Sequence, residues 1–235
     1  MNVEEVMQEL EALGKERTKK IYMLNGAHEP LFGVATGAMK PLARQIKKDQ
    51  QLADQLYDTG NYDAMYFAGV IADPLAMTEA DFERWIAAAY FYMISDYIVA
   101  VTLAETNIAQ DVADKWISSG DELKMSAGWS CYCWLLGNRS DTEFSESKLA
   151  SMLELVKATI YDAPERAKYA MNQYIYTVGI SYVPLHNKAV EIAKAVGSIE
   201  IKRDKKKSSI LNASETIHKA VEKNQLGFKR KYVRC

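Results

Sequence analysis

The strongest constraint on the fold of this chain is that pieces of it recur. Glu83-Arg84-Trp85-Ile86 returns as Asp114-Lys115-Trp116-Ile117, 31 residues later. Ala53-Asp54, followed by Gly60 and Met65, returns as Ala113-Asp114, followed by Gly120 and Met125, 60 residues later. An offset of about 30 and its double fit a unit of one helix pair, which cannot bury its apolar face alone and therefore stacks. The chain reads as an all-α solenoid, a superhelix of antiparallel helix pairs, in preference to an irregular helical bundle.

The scarcity of turn formers agrees: 12 Gly and 5 Pro in 235 residues are too few for many short strands. An apolar content of 49% excludes a disordered chain. The three cysteines form no disulfide framework, because Cys131 and Cys133 face different ways on a helix and Cys235 is terminal. Free thiols fit a reducing cytosol, so a cytoplasmic protein is expected. There is no metal-ligand spacing, nucleotide loop or Ser/His/Asp grouping, and His28, His186 and His218 lie in unrelated segments. No cofactor and no metal are expected. Residues 86–104 are 19 residues of mostly apolar chain, but Asp96 sits in their middle and no basic bias flanks them. They read as buried helix, with no membrane partner expected.

The apolar periodicity predicts helices over 3–24, 38–48, 50–58, 61–71, 78–91, 94–103, 108–118, 121–136, 145–160, 164–178, 185–196 and 214–222. Thr78 and Ser145 look like capped starts, Pro164 suits a first turn, and Gly60, Gly120 and Gly137 stand where helices stop. One solenoid domain is expected over 1–224, with a basic, mobile tail over 225–235. Near Gly197 the period changes. Residues 199–211 alternate around Lys202-Arg203-Asp204-Lys205-Lys206-Lys207, as either a short β-hairpin with a basic tip or a solvated loop.

Charge is unevenly spread. The net charge is −2, yet residues 202–235 hold eleven Lys/Arg against three Asp/Glu, a net of +8 that leaves −10 on the first 201 residues. A polyanion would meet a local surface and not the whole protein.

Asp96 is the chemical anomaly. A carboxylate in the most apolar stretch is costly unless it is paired or has a task. It either caps a helix broken near Met93, or faces the concave side among Tyr90, Phe91, Tyr92 and Tyr97, where a carboxylate with aromatics suits a cationic planar ligand. The run Trp129–Trp134 reads as core. Tyr169, Tyr174, Tyr176 and Tyr182 are either core tyrosines or stacking surfaces for bases.

Four blocks carry a resemblance to a known family. They are Ile21-Tyr22-Met23 with 31–34 and 39–43, Leu52-Ala53-Asp54 with 59–64 and 71–74, Tyr92-Met93-Ile94-Ser95-Asp96-Tyr97, and Met125-Ser126-Ala127-Gly128-Trp129-Ser130. In order and spacing over roughly 19–196, they resemble the DNA alkylation-repair family of HEAT-like DNA glycosylases, the AlkD type. The resemblance implies a HEAT-like fold that holds DNA in its groove, with Asp96 as the catalytic carboxylate and Tyr22 a groove tyrosine near the lesion. A carboxylate there can stabilise a sugar with oxocarbenium character or place a water. Three positions depart from the family's active members: Tyr92 and Gln173 stand where they carry Trp, and Ser126 where they carry Arg. Serine cannot copy the forked phosphate contact of arginine.

The resemblance is therefore to a divergent branch, with weak or no excision, affinity for branched DNA and a basic hairpin near the C-terminal end. The expected partner is duplex, damaged or branched DNA, bound by a monomer, with Lys202, Arg203, Lys205, Lys206 and Lys207 on phosphates. Two alternatives stand beside it: an active 3- or 7-alkylpurine glycosylase using Asp96, and a protein-interaction solenoid, which the acidic first 201 residues suit.

Overall fold

The computed structural model describes residues 1–202 and 208–231. They fall into two compact units, the first Met1–Ile108 and the second beginning at Ala109. The first contains α1 (Val3–Leu13), α2 (Glu16–Leu24), α3 (Lys40–Ile46), α4 (Gln50–Tyr57), α5 (Tyr62–Ile71), α6 (Glu79–Ala88) and α7 (residues 92–103). The second contains α8 (Ala109–Ile117), α9 (Glu122–Leu136), α10 (Glu146–Thr159), α11 (Glu165–Ser181), α12 (His186–Val196), β1 (Ser198–Ile201), β2 (Ser209–Asn212) and α13 (Ala213–Glu222). Among the described residues no helix is long and apolar enough to cross a membrane.

The recurring blocks mark the same corner built twice. Between α4 and α5, Gly60 adopts φ +66°, and between α8 and α9, Gly120 adopts φ +76°. Neither would meet an atom with an added Cβ, so the backbone conformation and not space demands glycine. Before each glycine a hydroxyl closes the ending helix: Thr59 Oγ1 donates to the Leu56 carbonyl at 2.7 Å, and Ser119 Oγ to that of Trp116 at 2.8 Å. After each, a side chain caps the next helix, with Asn61 accepting from Asp63 and Ala64 and Asp121 from Lys124.

The other recurring block locks neighbouring pairs together. Trp85 of α6 stacks on Tyr57 of α4 at 4.2 Å, and its Nε1 donates to Asp54 at 3.0 Å. Arg84 pairs with the same Asp54 at 2.6 Å. In the second unit Lys148 of α10 reaches Asp114 of α8 at 2.6 Å, and Lys188 of α12 reaches Glu154 of α10 at 2.6 Å. An acid on one helix thus meets a base about one repeat later, three times over. Exposed pairs of this kind add up to roughly 1 kcal/mol each, so they set register more than stability. Stability comes from the core, where Trp85, Trp116, Trp129, Tyr57, Tyr132 and Tyr174 are all fully buried.

Two expectations change, and one open alternative is decided. The helix expected over 3–24 is two helices. Gly14 turns extended between them and passes so close to the following loop that an added Cβ would lie 2.6 Å from the Phe32 carbonyl oxygen. Tertiary packing there overrides an uninterrupted helical pattern. Of the two readings of 199–211 the strands are present: Ser198 lies opposite Asn212 and Ile201 opposite Ser209 in an antiparallel pair, while residues 203–207 lie outside the described residues. Ile199 and Ile201 bury one face of it, and the Lys202 amide donates to Glu165 at 2.6 Å. The tail is anchored over 227–230. The Gly227 amide donates to Ile180, the Arg230 amide to Gly137, and Lys229 Nζ to Leu136, each at 2.7 Å. Lys229 also pairs with Asp141 at 2.8 Å, and Arg230 lies over the Trp134 ring. The sequence's single basic segment is thereby divided: Lys202 sits at the start of α11, and Lys229 and Arg230 are used internally beyond its end.

Candidate nucleic-acid interface

In the first unit the loop after α2 closes on a buried carboxylate at the start of α5 that sequence reading passed over. Asp63 is fully buried at the start of α5 and accepts the backbone N–H groups of Phe32, Gly33 and Val34 at 2.6–2.9 Å. Burial pushes its carboxyl above the ordinary range, although the three N–H donors pull it down. Its signal was legible: residues 62–71 hold no other charge, the same anomaly that singled out Asp96.

The loop that Asp63 holds fixes Tyr22. The Tyr22 hydroxyl donates to the Val34 carbonyl at 2.8 Å, and its ring meets the Tyr62 ring edge-on at 4.9 Å. Burial first, then the nearby Asp63, raises its hydroxyl to about 12, so it stays neutral at physiological pH. From Tyr62 the ring contacts continue through Phe91 at 5.2 Å and Tyr92 at 5.9 Å to Tyr97 at 6.4 Å. A side branch runs from Phe91 through Tyr90 to His28, whose ring stacks on Tyr90 at 3.8 Å.

Asp96 lies inside α7 and is not a cap. The helix starts after Phe91 with no side-chain cap, and residues Ser95–Val99 form a π turn. Such turns insert one residue into an α-helix and re-aim the side chains around it. Asp96 is 2% exposed and accepts from Ser95 Oγ at 2.8 Å. Gly69 of α5 makes room for this turn, since an added Cβ there would lie 2.7 Å from Ile98 Cγ2. The Tyr92 hydroxyl makes a long contact of 3.4 Å with Asn25.

The structure thus links Tyr22, Tyr92 and Asp96 within one unit, through Phe91, which the sequence had placed among the aromatics around Asp96, and through Tyr62, which it had not. The other candidates belong to the second unit. Ser126 is fully buried in α9, and Gln173 is half-buried in α11. Lys202 is exposed after β1, while Arg203, Lys205, Lys206 and Lys207 lie outside the described residues. Trp129 and Tyr132 are core, as expected, but Trp134 is half-exposed. The tyrosine run divides as well: Tyr174 and Tyr182 are buried, and Tyr169 and Tyr176 are half-buried. Among the described residues no three His, Cys, Asp or Glu side chains group to hold a metal ion. The chemistry on offer is a recessed carboxylate beside aromatic rings in the first unit and a strand pair carrying Lys202 in the second.

A family model described as DNA alkylation repair enzyme matches residues 6–217. Two uncharacterised proteins, from Listeria innocua and Listeria monocytogenes, are each 30% identical over 217 residues, covering 90% of this chain and 94% of theirs. A solved structure described as a new family of proteins related to the HEAT-like repeat DNA glycosylases with affinity for branched DNA structures is 74% identical. It matches over 100% of both chains with a TM-score of 0.97, so the fold is of the HEAT-like repeat type. The chain belongs to the DNA alkylation repair enzyme family.

Proposed function

We propose that this chain binds DNA, prefers branched or damaged DNA to intact linear duplex, and excises bases weakly or not at all. The observation that carries this reading is the full-length, 74% identical match to a structure described as having affinity for branched DNA. Two features of the chain support it. The antiparallel strand pair bears Lys202 at the mouth of the sequence Lys202-Arg203-Asp204-Lys205-Lys206-Lys207, a dense source of phosphate contacts. Ser126 is buried and neutral where the resemblance expects an arginine on phosphate, which removes part of the machinery for gripping a lesion.

The test is equilibrium binding of a four-way junction, a fork and a linear duplex at two salt concentrations. With Lys202, Arg203, Lys205, Lys206 and Lys207 on phosphates, affinity should fall a few hundred-fold, roughly, between 50 and 200 mM salt. No binding to any of the three would refute the proposal. The retained carboxylate of Asp96 beside Tyr92 favours one second reading, residual alkylpurine excision. Release of methylated bases by the wild type and not by Asp96→Asn would establish it; no release by either would dismiss it.

A further inference from the structure

The π turn of α7 has a geometric consequence beyond the placement of Asp96. In an unbroken α-helix, residues 92 and 97 would stand about 140° apart around the axis, and their rings would not meet. The π turn underwinds the helix and brings residues five apart toward one side. The Tyr92 and Tyr97 rings accordingly meet with centroids 6.4 Å apart and planes at 70°, forming an aromatic corner. Tyr97 is 38% exposed and Tyr92 is half-buried, so the corner opens outward. Its back is packed: Phe91 is buried, meets Tyr92 edge-on and rests edge-on against Tyr62. Beyond Phe91 the row continues through half-exposed Tyr90 to the exposed His28 ring.

We propose that this row is a stacking platform for unpaired nucleobases, with the Tyr92–Tyr97 corner as its principal seat. The inference rests on the DNA-binding reading and names the part of a branched DNA that the first unit takes: the bases left without partners at the branch. A flat base can lie on one ring of the corner while the other ring closes on its edge, the two arrangements that aromatic quadrupoles favour. The buried Asp96 carboxylate, next in the chain to Tyr97, disfavours phosphate nearby, which orients the base inward and its backbone outward. Stacking needs no particular base, so the platform reads the presence of unpaired nucleotides and not their sequence. It also needs no counterion release, so its share of the affinity is insensitive to salt, unlike that of the phosphate contacts.

The experiment places 2-aminopurine as an unpaired base at the branch of a fork and follows its fluorescence on binding by the full chain. Wild type should quench it. Tyr97→Ala should abolish most of the quenching and weaken fork binding about ten-fold, within the range of losing one stacked base. Tyr97→Phe should retain both, which excludes a fold defect as the cause. A fully paired linear duplex should bind wild type and Tyr97→Ala alike. Equal quenching by wild type and Tyr97→Ala, or an equal loss on fork and paired duplex, overturns the platform while leaving the DNA-binding reading intact. Absence of binding to any DNA overturns both.

Discussion

Helix α9 of the second unit and helix α7 of the first differ in kind. In the second unit α9 runs fifteen residues, capped by Asp121, and buries only neutral polar groups, Ser126 and Ser130. In the first, α7 starts without a side-chain cap, widens into a π turn after three residues, and buries the Asp96 carboxylate. The surrounding elements follow suit. Gly128 of α9 lets α8 approach backbone to backbone, with an added Cβ at 2.8 Å from the Ala113 carbonyl oxygen. Gly69 of α5 instead accommodates one side chain, Ile98 of the π turn. A stacked repeat is regular where it only has to stack, and the departures in the first unit gather around one carboxylate and one row of rings. Irregularity that the packing sustains at a cost is where function is to be sought.

The difference is open to attack by substitution. The largest effect is expected at Asp63, which holds the loop against α5. Asp63→Ala leaves three N–H groups of residues 32–34 without their acceptor. A loss of roughly 3–5 kcal/mol in urea unfolding is expected. A loss below 1 kcal/mol would mean that the loop is held by other contacts. Next comes Gly128→Ala, whose Cβ meets backbone that cannot rotate away; about 2–3 kcal/mol is expected, with DNA affinity unchanged once the protein is folded. Gly69→Ala should cost less, about 1–2 kcal/mol, since Ile98 can adjust. Its effect should appear instead at the corner, as reduced quenching of the unpaired 2-aminopurine. If the two glycine variants behaved alike in both assays, the contrast between regular and functional helices would fail.

The smallest effect is the sharpest in pH. Tyr22→Phe loses one hydrogen bond, to Val34, and should be less stable by about 1 kcal/mol at pH 7. The folded Tyr22 hydroxyl lies near 12, above its unfolded value of about 10. Its contribution is thus fully present below pH 10 and is lost as pH rises through the folded value, because the unfolded chain ionises first. Paired unfolding curves should converge between pH 10 and 12. A constant gap across that window would show that the hydroxyl is not shielded as the structure has it.

Much of this architecture was legible from the residues. The two recurring blocks turned out to be the corner at Gly60 and Gly120 and the inter-repeat lock at Trp85, because both rest on local chemistry: a positive φ, a cap, a buried indole. Asp96 and the strand pair were legible as breaks in a pattern. The division of 3–24 was not, since nothing in its periodicity registers Phe32 arriving against Gly14. The π turn was not legible either; an inserted residue leaves no mark on composition, and only the meeting of Tyr92 with Tyr97 reveals it. The split of the basic C-terminal segment was hidden for a similar reason, as it depends on α11 separating Glu165 from Ile180.

The central proposal, recognition of branched DNA by this scaffold, is tested most directly by competition. A labelled four-way junction bound to the wild-type chain is displaced by unlabelled junction or by unlabelled duplex of equal length, at one physiological salt concentration. The expected result is displacement by the junction at a concentration at least about ten-fold lower than by duplex, a preference of roughly 1.4 kcal/mol. Displacement by both at the same concentration would contradict it.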